Sequence, residues 1–282
     1  MSNIILGNKG TPTAFYVGNT GMQRVYLGDE NLWANFVPTQ VSGLEIWLDA
    51  SEGTNMYRSE TNKVAIWQDK VNGYAFSNLD AGEQPTFETN VQNGYGALKF
   101  DGGDYLHWND VVTQDDTASY FIVAKTTTTG NQAIYYATGG KILFIGAGVG
   151  SGNNSFTALF GDSTSWNTSS TALSPNRSLG NDFHVLGITN TGADSSAGCQ
   201  PTHDGEEYPT VNGDHINFSS VNIGAYPDAS VGWNGYICEI LVYNTNVSST
   251  NRKKIEGWLA WKWGINDNLH TSHPNVSDRP VI

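Results

Sequence analysis

The chain is built from short apolar runs that each end at turn-forming residues, and this pattern predicts many β-strands. Runs rich in Val, Ile, Tyr and Phe are bounded by Gly, Asn, Asp or Ser, which is typical of buried strands in a two-sheet sandwich. Residues 96–106 predict a hairpin, because the Asp-Gly-Gly-Asp turn at 101–104 separates two such runs. The other predicted strands are 43–50, 119–124, 132–136, 141–146, 183–188, 221–225 and 236–243.

One helix is predicted near the end of the chain. Helical spacing is found for Ile255, Trp258, Leu259 and Lys262. Ser248 or Ser249, earlier in the same segment, can cap the first turn. The tryptophans of this segment are expected to anchor the helix, because a short helix needs a large apolar face to dock.

Residues 1–37 differ in character from the rest of the chain. Two aromatic, branched segments repeat there, with Tyr16 corresponding to Tyr26, and they predict a small β-hairpin or meander. An isolated hairpin is marginal in water, so we expect it to pack on the main domain or on another chain. Tyr16, Tyr26 and Trp33 are the candidate assembly residues, and a plain edge hairpin is the alternative. Pro38 marks a linker, which divides the chain into 1–37 and 38–282.

The order of these motifs resembles that of laminin-G-like domains, which belong to the concanavalin A-like jelly rolls. Residues 43–50 resemble the first core strand of that family, and residues 232–264 resemble its closing strand and helix. The resemblance implies an all-β, two-sheet antiparallel jelly-roll sandwich with a small N-terminal β-hairpin element and a short C-terminal helix.

The N-terminal repeats and the His-Pro step at 273–274 also resemble segments of tailed-phage virion proteins. This implies a capsid decoration or tail-fibre component that is assembled in the host cytoplasm and displayed on the virion surface. Its partners would be other virion proteins, further copies of itself in a homo-oligomer, and host surface glycans. The alternative is a free bacterial carbohydrate-binding or adhesion module, and a glycoside hydrolase comes third.

Charge and composition exclude several other classes. The formal net charge of −13 argues against nucleic acid, which needs clustered Lys and Arg, and an anionic membrane surface would repel the chain. The first residues hold no basic segment followed by a long apolar run, and no apolar span of about 20 residues occurs, so neither a signal peptide nor a membrane helix is predicted. Of the two cysteines, Cys238 is expected to be a small buried hydrophobe, and pairing with Cys199 stays open.

The carboxylates bear on catalysis and on metal binding. The resemblance implies a Glu-x-Asp-x-x-Glu pattern in catalytic relatives, whereas residues 237–243 hold only Glu239, so we expect no enzyme. The loop-like segment 199–215 contains several carboxylates, and carboxylate oxygens are the ligands that Ca²⁺ prefers. The alternative is that these residues lie in solvated acidic turns. The candidate Ca²⁺ ligands are Asp204, Glu206, Glu207 and Asp214, and no other cofactor is predicted.

Carbohydrate binding is the chemistry that the composition favours. Sugars need aromatic faces for their C–H surfaces and amide, carboxylate or backbone groups for their hydroxyls, and loops on a rigid scaffold carry such groups. Three segments offer this mixture, namely 163–168, 226–234 and 105–110, the last through His107 and Trp108. The alternative is that each aromatic side chain pins its loop to the sandwich. The candidate glycan-binding residues are Trp166, Asn167, Tyr226, Asp228 and Trp233.

Overall fold

The computed structural model is nearly all β. It describes residues 16–17, 20–21, 24–27, 30–109, 117–128, 132–139, 143–145, 157–162, 165–168, 182–191, 198–208, 210, 218–226 and 231–281. The strands in chain order are β1 (Tyr16–Val17), β2 (Thr20–Gly21), β3 (Arg24–Leu27), β4 (Glu30–Ala34), β5 (Leu44–Asp49), β6 (Met56–Arg58), β7 (Val64–Gln68), β8 (Ala75–Ser77), β9 (Thr86–Gln92), β10 (Tyr95–Asp101), β11 (Leu106–Trp108), β12 (Ala118–Thr126), β13 (Ala133–Gly139), β14 (Leu143–Ile145), β15 (Thr157–Asp162), β16 (Ser165–Thr168), β17 (His184–Asn190), β18 (Cys199–His203), β19 (Glu206–Glu207), β20 (Phe218–Ile223) and β21 (Asn234–Tyr243).

Two large antiparallel sheets hold most of these strands. The first sheet has the order β19-β18-β17-β12-β21-β10-β9, with β5 also paired to β21. The second sheet has the order β16-β15-β14-β13-β20-β11-β8-β7-β6. The chain therefore forms the predicted two-sheet antiparallel sandwich, and this part of the prediction is confirmed.

The main core lies between the two sheets. Trp67, Phe76 and Trp233 are among its large side chains, and they pack with Ile240 and Leu186 from the first sheet. Trp67 and Phe76 alternate with less buried neighbours along β7 and β8, as in a half-buried strand, whereas β17 and most of β21 are buried on both faces. Burial of so much aromatic and branched surface is the main favourable term for the sandwich.

A single α-helix, α1 (Ser249–Trp263), covers the far side of the first sheet in the described part of the chain. Ser248 caps its start by accepting a hydrogen bond from the Asn251 amide, and Gly264 ends it in the left-handed conformation with φ of 64°. Ile255 and Trp263 from α1 belong to a second core, together with side chains of β12, β17 and β21. Short 3-10 helices are found at Pro38–Gln40, Ala81–Glu83 and Asn266–Asn268. No helix among the described residues is long and apolar enough to span a membrane.

A β-bulge in β21 turns two successive side chains toward α1. Val123 pairs with Glu239, whereas the next residue, Ala124, pairs with Ile237, so Cys238 is the extra residue of the bulge. Cys238 packs in the helix-side core and Glu239 bonds to Trp263 of α1. Both cysteines are buried and free, so they do not form a bridge.

The prediction of a hairpin at 96–106 is wrong. β10 pairs with β9 and β21 in the first sheet, whereas β11 pairs with β8 and β20 in the second. The Asp-Gly-Gly-Asp turn therefore carries the chain from one sheet to the other. The turn permits both paths, and the long-range partners of each strand decide between them.

The N-terminal strands form two small hairpins, β1 with β2 and β3 with β4, which pair with neither large sheet in the described part of the chain. The segment that follows is attached to the sandwich. Asn35 pairs with Val281, the amide of Phe36 donates to the Pro280 carbonyl over 3.0 Å, and Phe36 is only 2% exposed. Residues 35–37 thus pack on the main body, although the proposed division between 37 and 38 stays a prediction.

Candidate functional site

The outer face of the second sheet presents a row of polar side chains. His107 lies directly opposite Ser77 of β8 on one side and Asn222 of β20 on the other. Asn222 in turn lies opposite Tyr136 of β13. Residues opposite one another in antiparallel strands share a face, so these four side chains point away from the main core.

A groove of about 340 Å³ lies over this row. Its floor is the buried Asn222 and Tyr136, and its rim carries Leu79, which is 89% exposed. The groove thus combines hydroxyl, amide and imidazole groups with aromatic and apolar surface. Its lining residues are Ser77, Asn78, Leu79, Tyr105, His107, Tyr136, Ser220 and Asn222.

His107 is the chemical centre of the groove. Its Nδ1 is hydrogen-bonded to Asn222 Oδ1. Because an amide oxygen can only accept a hydrogen bond, Nδ1 carries the proton of this bond. Nε2, the other ring nitrogen, lies 3.5 Å from Ser220 Oγ and is the acceptor in this tautomer. The imidazole is therefore held in one orientation and can accept a hydrogen bond from a hydroxyl in the groove.

The wall beside His107 is also fixed before any ligand arrives. The side-chain nitrogen Nδ2 of Asn78 donates to the Tyr105 carbonyl over 3.2 Å, and Asn78 Oδ1 accepts from the backbone amide of Asp80 over 2.9 Å. Gln84 donates to the Asn78 carbonyl over 2.8 Å. A site held in this way loses little conformational entropy when it binds.

The predicted glycan residues do not form one site. Tyr226 packs against Tyr136 of the groove, with ring centroids 4.6 Å apart and the ring planes tilted by 45°. Trp233 is fully buried in the main core, so its ring cannot face a sugar, and here the expectation of a binding surface is wrong. Trp166 and Asn167 lie in β16, at the far edge of the second sheet, and their side chains and all of Asp228 fall outside the described residues.

The predicted Ca²⁺ ligands are separated as well. Asp204 is buried and accepts a hydrogen bond from His184 Nδ1 over 2.7 Å. Burial alone would raise the pKa of Asp204, but the bond from His184, the nearby His203 and the Val185 amide hold it below its usual value. Glu206 and Glu207 form β19, and Glu207 pairs with Arg252 and Lys253 instead of turning to Asp204. Asp214 is outside the described residues.

The predicted assembly residues lie in three N-terminal strands. Tyr16 belongs to β1, Tyr26 to β3 and Trp33 to β4. Val25 lies opposite Trp33 in the β3–β4 hairpin. Their side chains fall outside the described residues, so an assembly role stays a prediction.

Glu239, the lone carboxylate of the closing strand, lies under α1 and is fully buried. Its oxygens accept hydrogen bonds from Trp47 Nε1 over 2.7 Å and Trp263 Nε1 over 2.6 Å, and Lys262 Nζ lies 2.8 Å away. Burial raises its pKa, although the Lys262 ammonium opposes the rise. Lys262 also pairs with Asp49 over 2.9 Å. These groups fasten the helix to the first sheet and do not open onto the groove.

Another buried carboxyl lies in the turn between β10 and β11. Burial, and then the neighbouring Asp101, raise the pKa of Asp104 to about 6, and Lys63 lies 3.6 Å away. The Asp101 amide donates to Asp104 Oδ2 over 3.0 Å. The turn that was predicted to close a hairpin therefore holds a titratable group at the crossing between the sheets.

Another cavity, of about 300 Å³, lies between α1 and the last residues of the chain and contains more aromatic surface. Its rings are already engaged, because Arg279 lies over Trp261 at 5.5 Å and Trp258 packs edge-on against Trp47. These contacts are the packing role predicted for the helix tryptophans. The groove at His107 is therefore the better candidate for a sugar.

The sequence pointed to part of the groove through segment 105–110. It did not reveal Ser77, Asn222 or Tyr136, because these residues belong to separate strands that only the sheet register brings beside His107. Alternating polar residues on β8, β11 and β20 were the available signal. That signal marks an outward face without showing which strands are neighbours.

Neither the protein-family models nor the curated proteins give a match to this chain. Among solved structures, a sialidase of Trypanosoma rangeli in complex with sialic acid is similar over 80% of this chain, with 14% identity and a TM-score of 0.50. Domain 4 of AbnA, an extracellular GH43 arabinanase of Geobacillus stearothermophilus in complex with arabinotriose, covers 73% with 15% identity and a TM-score of 0.48. A GH54 α-L-arabinofuranosidase covers 69% with 12% identity and a TM-score of 0.48.

These identities show the fold alone. The match extends over 97% of the arabinanase domain, half of the arabinofuranosidase and 35% of the sialidase, so the chain spans only part of the latter two proteins. The expectation that the chain is no enzyme is corrected by this comparison, because a sialidase is among the proteins that share the fold. The fold that the chain shares with the sialidase is a β-sandwich.

Proposed function

We propose that this protein binds a glycan in the groove over His107. The observation that carries the proposal is the groove itself, where an oriented imidazole, an amide and hydroxyls surround a cavity with an exposed apolar rim. Its volume of about 340 Å³ is at the small end of the ~300–1,000 Å³ range of small-molecule sites, which suits one or two sugar rings. The likeness to a sialidase solved with sialic acid supports a sugar ligand.

The ligand we propose is a neutral sugar. The groove is lined by neutral polar and apolar side chains, without Lys, Arg, Asp or Glu among the lining residues that the structure describes. An anionic sugar would need a cationic partner to offset its desolvation, and the net charge of −13 would repel it further. We therefore expect neutral hexoses or pentoses to bind and sialylated glycans to bind less.

The test is binding of the full chain to a panel of neutral and sialylated glycans, with release of reducing sugar measured in the same samples. His107→Ala and Asn222→Ala should each weaken binding by about 10-fold, since each removes a hydrogen-bond partner inside the groove. His270→Ala is the matched control, because His270 bonds to Ser272 in a different part of the surface.

Circular dichroism must first show that each variant is folded. The proposal fails if the wild-type chain binds no glycan, or if both groove variants bind as tightly as the wild type. Preference for sialylated ligands would overturn the choice of a neutral sugar. Release of reducing sugar by the wild type would extend the function from binding to cleavage.

We further propose that the sandwich is displayed on a phage virion, with residues 1–34 as its attachment. The N-terminal resemblance supports this, as does the separation of the small hairpins from both large sheets among the described residues. The expected partners are other virion proteins and further copies of the chain, with contacts through Tyr16, Tyr26 and Trp33. This role is independent of the groove and would place a glycan-binding face on the particle surface.

Light scattering of the full chain and of a chain starting at Asn35 tests the attachment. The shorter chain keeps Phe36 in its core and Asn35 beside Val281. An oligomer formed only by the full chain would support assembly through the first 34 residues. If both the full chain and the shorter chain are monomers, self-assembly is contradicted and a free carbohydrate-binding or adhesion module is favoured.

A further inference from the structure

Three buried ionisable side chains meet where β18 turns into β19. His184 begins β17, His203 ends β18, and Asp204 occupies the turn; their exposed fractions are 7%, 1% and 0%. Burial of such groups is costly unless a partner satisfies them, so the cluster needs a physical reason.

The three side chains converge on one point. Asp204 Oδ2 lies 2.7 Å from His184 Nδ1 and 3.5 Å from His203 Nε2, and the two imidazole rings are 4.6 Å apart at 78°. One ligand atom from each residue lies within 4.8 Å of the other two. Two nitrogens and one oxygen therefore surround a common volume.

The strand register explains how the sequence builds this cluster. Thr202 faces α1, since it donates to Glu256 over 2.6 Å, so the next residue, His203, faces the other side of the sheet. His203 lies opposite Leu186, a core residue two positions after His184, which places both histidines on the same face. The cluster thus lies on the side of the first sheet that faces the main core.

The backbone turns Asp204 back over the two imidazoles. Asp204 and Gly205 both adopt positive φ, of 50° and 72°. The Val185 amide donates to Asp204 Oδ1 over 2.8 Å, and the His270 amide donates to the Asp204 carbonyl over 2.8 Å. These bonds leave Oδ2 directed at the histidines, and such supporting bonds are what orient the ligands of metal sites.

We propose that His184, His203 and Asp204 form a three-ligand site for a divalent transition-metal ion. Two imidazole nitrogens and one carboxylate oxygen suit Zn²⁺ and its neighbours in the first transition row, whereas Ca²⁺ takes oxygen ligands. The structure thus replaces the acidic Ca²⁺ set predicted from the sequence with a nitrogen-rich set that shares only Asp204.

Bond geometry supports the assignment. Tetrahedral Zn²⁺ with bonds of roughly 2.0–2.1 Å places neighbouring ligand atoms about 3.4 Å apart. The separation of 3.5 Å between His203 Nε2 and Asp204 Oδ2 already matches. The hydrogen bond between His184 and Asp204 must open, with loss of the proton between them, so the ion takes the place of that proton. A fourth position is left for water or another ligand.

Titration of the full chain with Zn²⁺ after dialysis against a chelator tests the site, with calorimetry for affinity and the visible spectrum of Co²⁺ for geometry. We expect one tightly bound ion per chain, a higher melting temperature with Zn²⁺, and a Co²⁺ spectrum typical of tetrahedral coordination. His203→Ala and Asp204→Asn should each weaken Zn²⁺ binding by about 10-fold or more. His270→Ala is the matched control, because the His270 side chain bonds to Ser272 outside the cluster, and this variant should bind Zn²⁺ as the wild type does.

Two results would overturn the proposal. One is the absence of a bound ion in the wild type, which would leave a hydrogen-bonded His–Asp cluster that only braces the turn. The other is a folded His203→Ala variant that binds Zn²⁺ as tightly as the wild type, since the ion would then lie on other histidines. If the variants do not fold, the wild-type stoichiometry and Co²⁺ spectrum decide alone.

Discussion

At the scale of single residues, the main polar feature of the fold is the buried charge group beneath α1. Lys262 lies between Glu239 at 2.8 Å and Asp49 at 2.9 Å, and Asp49 is also 2.9 Å from Lys70. Such a group adds little net stability compared with apolar packing, but removal of one member leaves the others uncompensated. Its effect is therefore seen most clearly when one charge is neutralised.

Glu239→Gln should lower the free energy of unfolding by about 3 kcal/mol, at the lower end of the range for broken buried pairs because Asp49 still faces Lys262. Urea denaturation of the purified variant measures the change. Glu88→Gln is the control, since the Glu88–Lys99 pair is on the surface and should contribute less than about 1 kcal/mol. Equal effects of the two substitutions would show that the buried charges are not coupled.

Asp49 predicts a dependence of stability on pH. Burial alone would raise its pKa, but Lys262, the Ser51 amide and Lys70 together lower it from 3.8 to about 2. Because the folded-state pKa is the lower one, the stabilisation is present above pH 3.8 and is lost as the pH falls toward 2. Asp49→Asn should therefore cost about 2 kcal/mol at pH 7, and the difference from the wild type should shrink through this interval. A difference that stays constant with pH would contradict the assignment.

At the scale of elements, α1 shows how packing overrides local propensity. Gly257 lies in the middle of the helix, where alanine would ordinarily add about 1 kcal/mol of stability. A Cβ at this position would lie 2.6 Å from the Cβ of Asn275, in the segment that packs on the helix after it ends. The glycine is therefore required by a close approach of two segments.

Gly257→Ala should lower the melting temperature, in spite of the higher helix propensity of alanine. Calorimetry of the single variant and of Gly257→Ala combined with Asn275→Gly tests the cause. The second substitution removes the atom that collides, so it should recover part of the loss. A rise in melting temperature for Gly257→Ala alone would show that the segment after the helix yields easily.

The strands and the helix also show which parts of the fold the sequence predicts. The strands that local patterns predicted and the closing helix are found at or near their predicted positions, whereas eight of the described strands were not predicted: β6, β7, β8, β9, β15, β16, β18 and β19. The prediction of a hairpin at 96–106 failed because turn residues indicate that the chain changes direction but do not show whether the two flanking strands pair with each other. The groove could not be derived either, since His107 and Asn222 are 115 positions apart and meet only through pairing of β11 with β20.

At the scale of the whole molecule, the sandwich keeps three polar features apart. The groove lies on the outer face of the second sheet, the buried charges lie under α1 on the far side of the first sheet, and the histidine cluster faces the main core. Each can be changed without touching the others, because they use different residues on different faces. The glycan, metal and stability experiments are therefore independent of one another.

The two buried thiols have a consequence for how opening of the sandwich can be followed. Burial raises the pKa of both Cys199 and Cys238, so neither is a reactive thiolate in the closed protein. Cys199 lies in β18, near the edge of the first sheet, whereas Cys238 lies in the central strand β21. An alkylating reagent should modify Cys199 sooner, through fraying of the edge, and Cys238 only on global unfolding. Mass spectrometry of the two peptides would then separate partial from complete opening without any introduced label, and equal rates would mean that the sandwich opens as one unit.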